Sequence, residues 1–549
     1  MVGSAWQQRF KPIPHRCSKR FFDCPPAVQE VYGASVDEET PMNHPSPHRV
    51  GPRIRALILL VAFLGTGPHP LALPTDGRLQ GTIPKAPDSL FSIPFPRTVD
   101  YRPRQGSVVA ADIDGDGRQD LVVSIPSGQI LVVRPDGSRA PGWPRTFEDL
   151  AQPAYPVGDP AVGDLDGDGS PEIVVCVVSG TSTRSNYLFA LHADGTDLRM
   201  DDPNAPGWPI SLPGSGTDVY TCSGTPTLLA DLDGDGSLDV IRGMSKGTIL
   251  AFDHTGRPLP GWPVRLDPDP PGRTLEVNAD LVAADLNGDG KQDLVFVESG
   301  LAPRLAALSF DPITGRMVPV PGFPVSLEEV VDRQAPAVAD LDGDGSPEIV
   351  QATSPNQGDM IEPAVGPAFP AEVHVLRSDG TIWSSAPGWP RPLQSGATWG
   401  SVLADLNDDG LPEILQADGT DLVGFDAVGD TLPGFPIVVH RDFVRSQSLE
   451  MSPWIVGDLN GDRRPDLLQV WSNQYAGSSY LRVFGLRATG GAMRGFPFDA
   501  NGMLAASRPV LADLSGDGVN DLVMLVADGG NGGWILKAWD LGSLVRKIR

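Results

Sequence analysis

Apolar and polar positions along this chain fall into short blocks, and no long stretch carries apolar residues spaced three and four apart, so strands rather than helices are expected. In the first block an apolar run, Ser107 to Ala111, leads into an Asp-Gly loop and a second run, Asp120 to Ile125, leaves it. A third run, Gln129 to Val133, ends at the turn Pro135-Asp136-Gly137, and the following Pro-Gly-Trp-Pro is expected as a fourth, edge strand, where proline is tolerated. Gly (63) and Pro (56) are frequent enough to punctuate many such turns, which makes the chain all-β.

The block recurs. Its leading Asp stands at 112, 164, 231, 285, 340, 405, 458 and 513, at spacings of 52, 67, 54, 55, 65, 53 and 55. A second mark keeps step, Pro-Gly-Trp/Phe-Pro at 141–144, 206–209, 260–263, 321–324, 387–390 and 433–436, with a shortened Gly-Phe-Pro at 495–497. Four antiparallel strands per unit make a propeller blade, so the expectation is a β-propeller of eight four-stranded blades, with seven plus an accessory unit as the alternative. After the eighth loop only two more strands follow, while Ile93-Pro94-Phe95-Pro96 precedes the first loop. An N-terminal strand that completes the last blade would leave no free edge.

Within each acidic loop, oxygen-bearing side chains occupy positions 1, 3, 5 and 9. The complete sets are Asp112, Asp114, Asp116, Asp120; Asp164, Asp166, Asp168, Glu172; Asp231, Asp233, Asp235, Asp239; and Asp340, Asp342, Asp344, Glu348. One acid is replaced in Asp285, Asn287, Asp289, Asp293; in Asp405, Asn407, Asp409, Glu413; in Asp458, Asn460, Asp462, Asp466; and in Asp513, Ser515, Asp517, Asp521. Only hard oxygen ligands are offered, which favours Ca²⁺ over zinc or copper, and a nearly complete protein shell favours it over Mg²⁺. Two carboxylates ~4.5 Å apart repel by roughly 3–4 kcal/mol at an effective dielectric near 20, so four together call for a cation. Up to eight Ca²⁺ are expected, weakest where Arg463 replaces the second glycine and where Ser515 replaces an acid.

The net charge of −27 excludes nucleic acid as a natural partner. The loops hold 28 of the 69 acids, and eight Ca²⁺ would take the charge to −11. Arg53-Ile-Arg55, the apolar run Ala56 to Gly65 and Pro70-Leu-Ala72 read as an export signal over 42–72, too short in its apolar part for a stable membrane span. Residues 1–41 are then a leader ahead of a conventional start at Met42, 73–90 a linker, and 91–549 the propeller. Cys176 and Cys222 remain in the mature part, either bridged or as two small buried side chains.

These repeats resemble the VCBS and FG-GAP repeats, the latter being the units of the integrin α-subunit head propeller. The resemblance spans roughly 91–549 and rests on Asp-x-Asp-Gly-Asp-Gly-x-x-Asp before an apolar strand. The integrin Phe-Gly and Gly-Ala-Pro marks are poorly kept, with Gly-Asp-Pro-Ala-Val at 158–162 and Gly-Thr-Pro-Thr-Leu at 224–228 instead. It implies a secreted, extracellular or cell-surface calcium-binding module for adhesion, with a glycan or an extracellular protein as partner. Two alternatives stay open: a polysaccharide lyase, because some lyases on calcium-containing eight-bladed propellers are similar in outline, and a passive extracellular scaffold.

If the metal loops join first and second strands, they share one face, and the turns between second and third strands lie on the other. The longest insertion there is Ser354 to Pro370, with smaller ones at Ser179–Asn186 and Ser472–Ser479. The same face carries Tyr101, Tyr155, Tyr220, Arg333, Trp399, Trp454 and Arg508, which could stack on sugars or grip carboxylates, or else pack between blades. The recurring Trp and Phe of Pro-Gly-Trp/Phe-Pro read as inter-blade packing. Catalytic signals are weak: Gly243-Met-Ser245-Lys-Gly247 has the spacing of a nucleophile elbow but is followed by a strand, and so reads as a hairpin. His192, His254, His374 and His440 are scattered without metal-ligand spacing.

Overall fold

The computed structural model describes residues 86–95 and, with omissions, 106–546; the longest omitted stretches are 213–225, 267–279, 355–370 and 439–448. The leader, the export signal and most of the linker lie outside the described residues. What is described forms eight antiparallel sheets, one per repeat, in the order of the sequence. In blade 1 the strands are Ser107–Ala111, Asp120–Ile125, Gln129–Val133 and Arg145–Thr146, each paired with the next.

Second strands such as Glu172–Ser179 are buried at every residue. They lack the usual alternation because both of their faces pack against neighbouring blades, and an unbroken apolar run satisfies both. The cores consequently lie between sheets. One cluster joins Phe95, Val523 and Leu536 of the last blade to Val123 and Leu131 of the first and Val175 and Phe189 of the second.

Ring closure follows the expected route. Asp88–Phe95 pairs antiparallel with Trp534–Asp540 and becomes the outermost strand of blade 8, opening three residues ahead of the boundary expected at 91. The Asp88 amide also donates to Ser543 Oγ in the short C-terminal helix Gly542–Arg546, at 3.0 Å. Blade 6 departs from the rule: three strands are continuous and the fourth is reduced to the single bridge between Leu422 and Ile437.

The Pro-Gly-Trp/Phe-Pro mark is not itself the edge strand. It forms a tight approach to the next blade, with the aromatic-to-proline bond cis in all seven copies, and the short edge strand comes just after it, as at Arg145–Thr146 and Ile210–Ser211. The Trp143 indole donates to Ala193 O at 2.8 Å, Trp208 to His254 O at 3.1 Å and Trp389 to Ala427 O at 3.0 Å, each acceptor lying in the following blade. Glycine is required before the aromatic because a Cβ on Gly142 would lie 1.8 Å from Asp194 O, and its φ of +88° is left-handed. The expected inter-blade role of these aromatics therefore stands, through a turn rather than a strand.

Three further details bear on the sequence picture. The insertion expected at Ser472–Ser479 is a long hairpin, in which Asp466–Tyr475 pairs with Ser478–Arg487. Cys176 is buried and disulfide-bonded, and every other cysteine of the chain lies outside the described residues. On either side of Ser245 and Lys246, strands Asp239–Met244 and Thr248–Phe252 pair antiparallel, so a strand and not a helix follows, as expected.

Candidate metal loops and the opposite face

Each loop is built around its first residue. Asp112 Oδ1 accepts from the amides of Gly115 and Asp116 at 2.9 and 3.1 Å, while Oδ2 accepts from Gly117 at 2.8 Å, wrapping the backbone around the carboxylate. Equivalent bonds recur at Asp231, Asp285, Asp340 and Asp513. The fourth and sixth positions take positive φ, +73° and +85° in the first loop. Where glycine is missing the shape persists: Asp408 and Arg463 adopt φ of 69° and 65°. L-residues resist that conformation by about 1–2 kcal/mol, so the loop geometry outweighs the local preference.

The ninth residue opens the buried second strand, so its carboxylate is carried inside. Asp120, Glu172, Asp239, Glu348 and Asp466 are each 3 % exposed or less. One oxygen accepts the amide of the loop's second residue, as in Leu232 to Asp239 at 2.9 Å and Leu341 to Glu348 at 3.0 Å, leaving the other to face the loop. Burial first, then the neighbouring loop acids, push Asp239, Glu348 and Asp466 up to about 7 and Asp120 up to about 6, and burial followed by Asp540 and the loop acids pushes Asp521 up to about 6. Asp521 Oδ1 is buried and has no hydrogen-bond partner, although it is a strong acceptor.

Convergence is closest in four loops. Ligand atoms of Asp112, Asp114 and Asp120, of Asp164, Asp166 and Asp168, of Asp231, Asp233 and Asp239, and of Asp340, Asp342 and Asp344 lie within 4.8 Å of one another. The donors are all oxygen, which suits a hard cation. In three of the substituted loops the Asn amide turns inward instead. Asn287 Nδ2 lies 3.4 Å from Asp293, Asn460 Nδ2 2.8 Å from Asp466, and Asn407 Nδ2 bonds both Asp409 and Glu413. A 180° turn of the amide presents its oxygen in place of the nitrogen.

The third strand supplies neighbours that the loop motif does not contain. In blade 7 the residue registered opposite the ninth ligand is Arg487, which faces Asp466. One place beyond the paired residues in other blades it is Arg134, 3.1 Å from Asp114; His192, 3.2 Å from Glu172; and Arg377, 3.8 Å from both Asp342 and Asp344. In blade 8, Arg546 of the C-terminal helix bonds Asp517 and Asp540. His192 thus joins Asp166 and Glu172 in one possible donor group, although its sequence spacing gave no hint of it. Two of the complete loops therefore carry an internal cation, so affinity does not follow from counting acids alone.

On the opposite face, the candidate ligand residues separate. Trp454 is 4 % exposed and packs in the core of blades 6 and 7, and Trp399 and Tyr155 are half-buried against cores of their own blades. Arg508 is exposed. Tyr101, Tyr220 and Arg333 lie outside the described residues, as does most of the Ser354 to Pro370 insertion. A polar arc was missed from sequence: Gln351, Gln416 and Gln469, three residues after the ninth ligand of blades 5, 6 and 7, are fully or nearly buried. Their amides donate to Gln334 O, Trp399 O and Ser452 O at 3.2, 2.9 and 3.1 Å, tying the start of each innermost strand to the strand beside it. The usable signal was one polar residue at a fixed offset inside an apolar run.

Comparison with known proteins gives a family match and distant folds. The FG-GAP-like repeat model matches residues 112–175, 285–351 and 340–415. No curated protein sequence matches the chain. Among solved structures, the BBS1N chain crystallised with ARL6DN is similar over 83 % of this chain and 98 % of its own, at 11 % identity and a TM-score of 0.39. A quinohemoprotein alcohol dehydrogenase from Comamonas testosteroni is similar over 71 % of this chain and 76 % of its own, at 12 % identity and a TM-score of 0.32. Saccharomyces cerevisiae Sqt1 is similar over 70 % and 82 %, at 13 % identity and a TM-score of 0.35.

Proposed function

Because the chain is an FG-GAP-repeat β-propeller of eight blades, we propose that it serves as a calcium-fastened binding or adhesion module outside the cell. The observation that carries this reading is the convergence of oxygen-only ligand sets within 4.8 Å in four loops. Asp114, Asp116 and Asp120, and their counterparts in the other loops, would hold the ion, while the first Asp both ligates and shapes the turn. The orphaned Asp521 Oδ1 fits the same purpose in blade 8. A bound divalent ion supplies the positive charge that offsets repulsion among the carboxylates. The disulfide at Cys176 suits an oxidising compartment, in keeping with the export signal expected over 42–72.

A glycan or an extracellular protein would bind on the face opposite the loops, where Arg508 is exposed and Trp399 and Tyr155 are partly accessible. The test is metal analysis of the purified protein together with its melting temperature with and without chelator. Several equivalents of calcium and a large drop on chelation support the reading. A metal-free protein whose melting temperature is indifferent to calcium overturns it.

A further inference from the structure

Two charged residues four blades apart meet across the ring. The residue five places before each leading Asp stands at or near the start of an innermost strand; it is Asp159 in blade 2, Asp280 in blade 4 and Arg508 in blade 8. In a ring of eight, blades 4 and 8 are opposite one another, and Arg508 Nη2 donates to Asp280 Oδ2 at 2.8 Å. The ion pair therefore spans the axial channel. It lies at an open mouth and not in a core, since the two side chains remain 54 % and 24 % exposed.

The surroundings are lopsided. Asp159 feels the charges of both Arg508 and Asp280. Behind them Arg242 is fully buried, with Nη1 donating to Thr227 Oγ1 at 3.2 Å and its charge balanced by Asp159 and Asp280. In blades 5, 6 and 7 the same position is Ala335, Gly400 and Pro453, none of which carries a charge.

We propose that this channel mouth is a binding site for a guanidinium or primary ammonium group, in which Arg508 is the protein's own tenant. The tenant itself demonstrates the fit, because a guanidinium already spans the channel to a carboxylate on the far wall. Its hold is light: one hydrogen bond with the guanidinium half in solvent, where ion pairs contribute little. When Arg508 swings out, the Asp280 carboxylate loses the guanidinium that donates to it and can accept from an incoming cation instead. An anion reaching Arg508 would instead sit beside two carboxylates. The acidic chain as a whole also raises the local concentration of basic ligands.

The inference does not depend on the metal loops, so metal stoichiometry and this site fail or succeed separately. Agmatine serves as the free guanidinium probe and an end-capped Gly-Arg-Gly peptide as the side-chain probe, both titrated by calorimetry at low salt into the full chain. R508A is expected to bind at least one of them about tenfold more tightly than the wild type, the tighter probe naming the source of the cation, and the R508A/D280N double variant to lose that gain. R508Q, which removes the charge but keeps a shorter, polar side chain, should reproduce the gain and keeps the test alive if R508A folds poorly. Equal affinity in wild type, R508A and R508Q, or a gain that survives D280N, overturns the proposal.

Discussion

Asp239→Asn should change stability in opposite directions depending on whether calcium is present. Asp239 is 2 % exposed, accepts the Leu232 amide, and is pushed from 3.8 up to about 7 by burial and then by Asp233, Asp235 and Asp231. A carboxylate whose folded value is raised binds its proton more tightly in the folded state than in the unfolded one. In metal-free protein, stability from this group is therefore greatest below pH ~4 and is lost as pH rises through about 7. Three units at 1.36 kcal/mol each set a ceiling of about 4 kcal/mol on that loss at pH 8. Asparagine keeps an acceptor for Leu232 and removes the charge, so in chelator at pH 8 the variant should be more stable than wild type by about 2–4 kcal/mol, and about equal to it at pH 4. With calcium the order should invert, because the variant lacks one anionic ligand. Urea unfolding of both proteins in chelator and in calcium, at the two pH values, provides the readout. Destabilisation of equal size in all four conditions would refute the reasoning.

Other expectations follow from the contacts around the ring. Trp389→Ala removes an indole that is 6 % exposed, bonds Ala427 O across the blade boundary and meets Phe425 edge-on at 5.6 Å. A loss of about 3–5 kcal/mol in urea unfolding is expected, with or without calcium. Arg134→Gln and Arg377→Gln each take away a guanidinium next to loop acids whose own side chain is about 40 % exposed. Pairs of that exposure are worth about 0.2–1 kcal/mol, so terbium titration should show roughly two- to fivefold tighter binding at the affected loop; unchanged or weaker binding would count against a competing internal cation.

Legibility in the sequence tracked how local each contact is. The acidic loops and their glycines sit within nine consecutive residues and the leaving strand starts at the ninth, so ligand order and turn shape are written along the chain, and the eight copies and the N-terminal closing strand could be counted directly. The turn made by Pro-Gly-Trp/Phe-Pro was legible as a packing mark but not as a shape, because its partner is a carbonyl of the next blade. Which of its two expected places Trp454 takes, a binding face or the packing between blades, likewise depends on how blade 7 leans on blade 6.

Sequence alone determined the all-β character, the repeat count and the candidate ligands, because strand periodicity and a nine-residue loop are properties of neighbours in the chain. Only the closed ring decided that Arg508 faces Asp280 across 228 residues, and only the strand pairing inside each blade decided that His192 stands beside Glu172 and that Arg134 and Arg377 lean over acids of their own blades. Those encounters are set by strand register and by the angle between successive sheets, and no local pattern of residues encodes either.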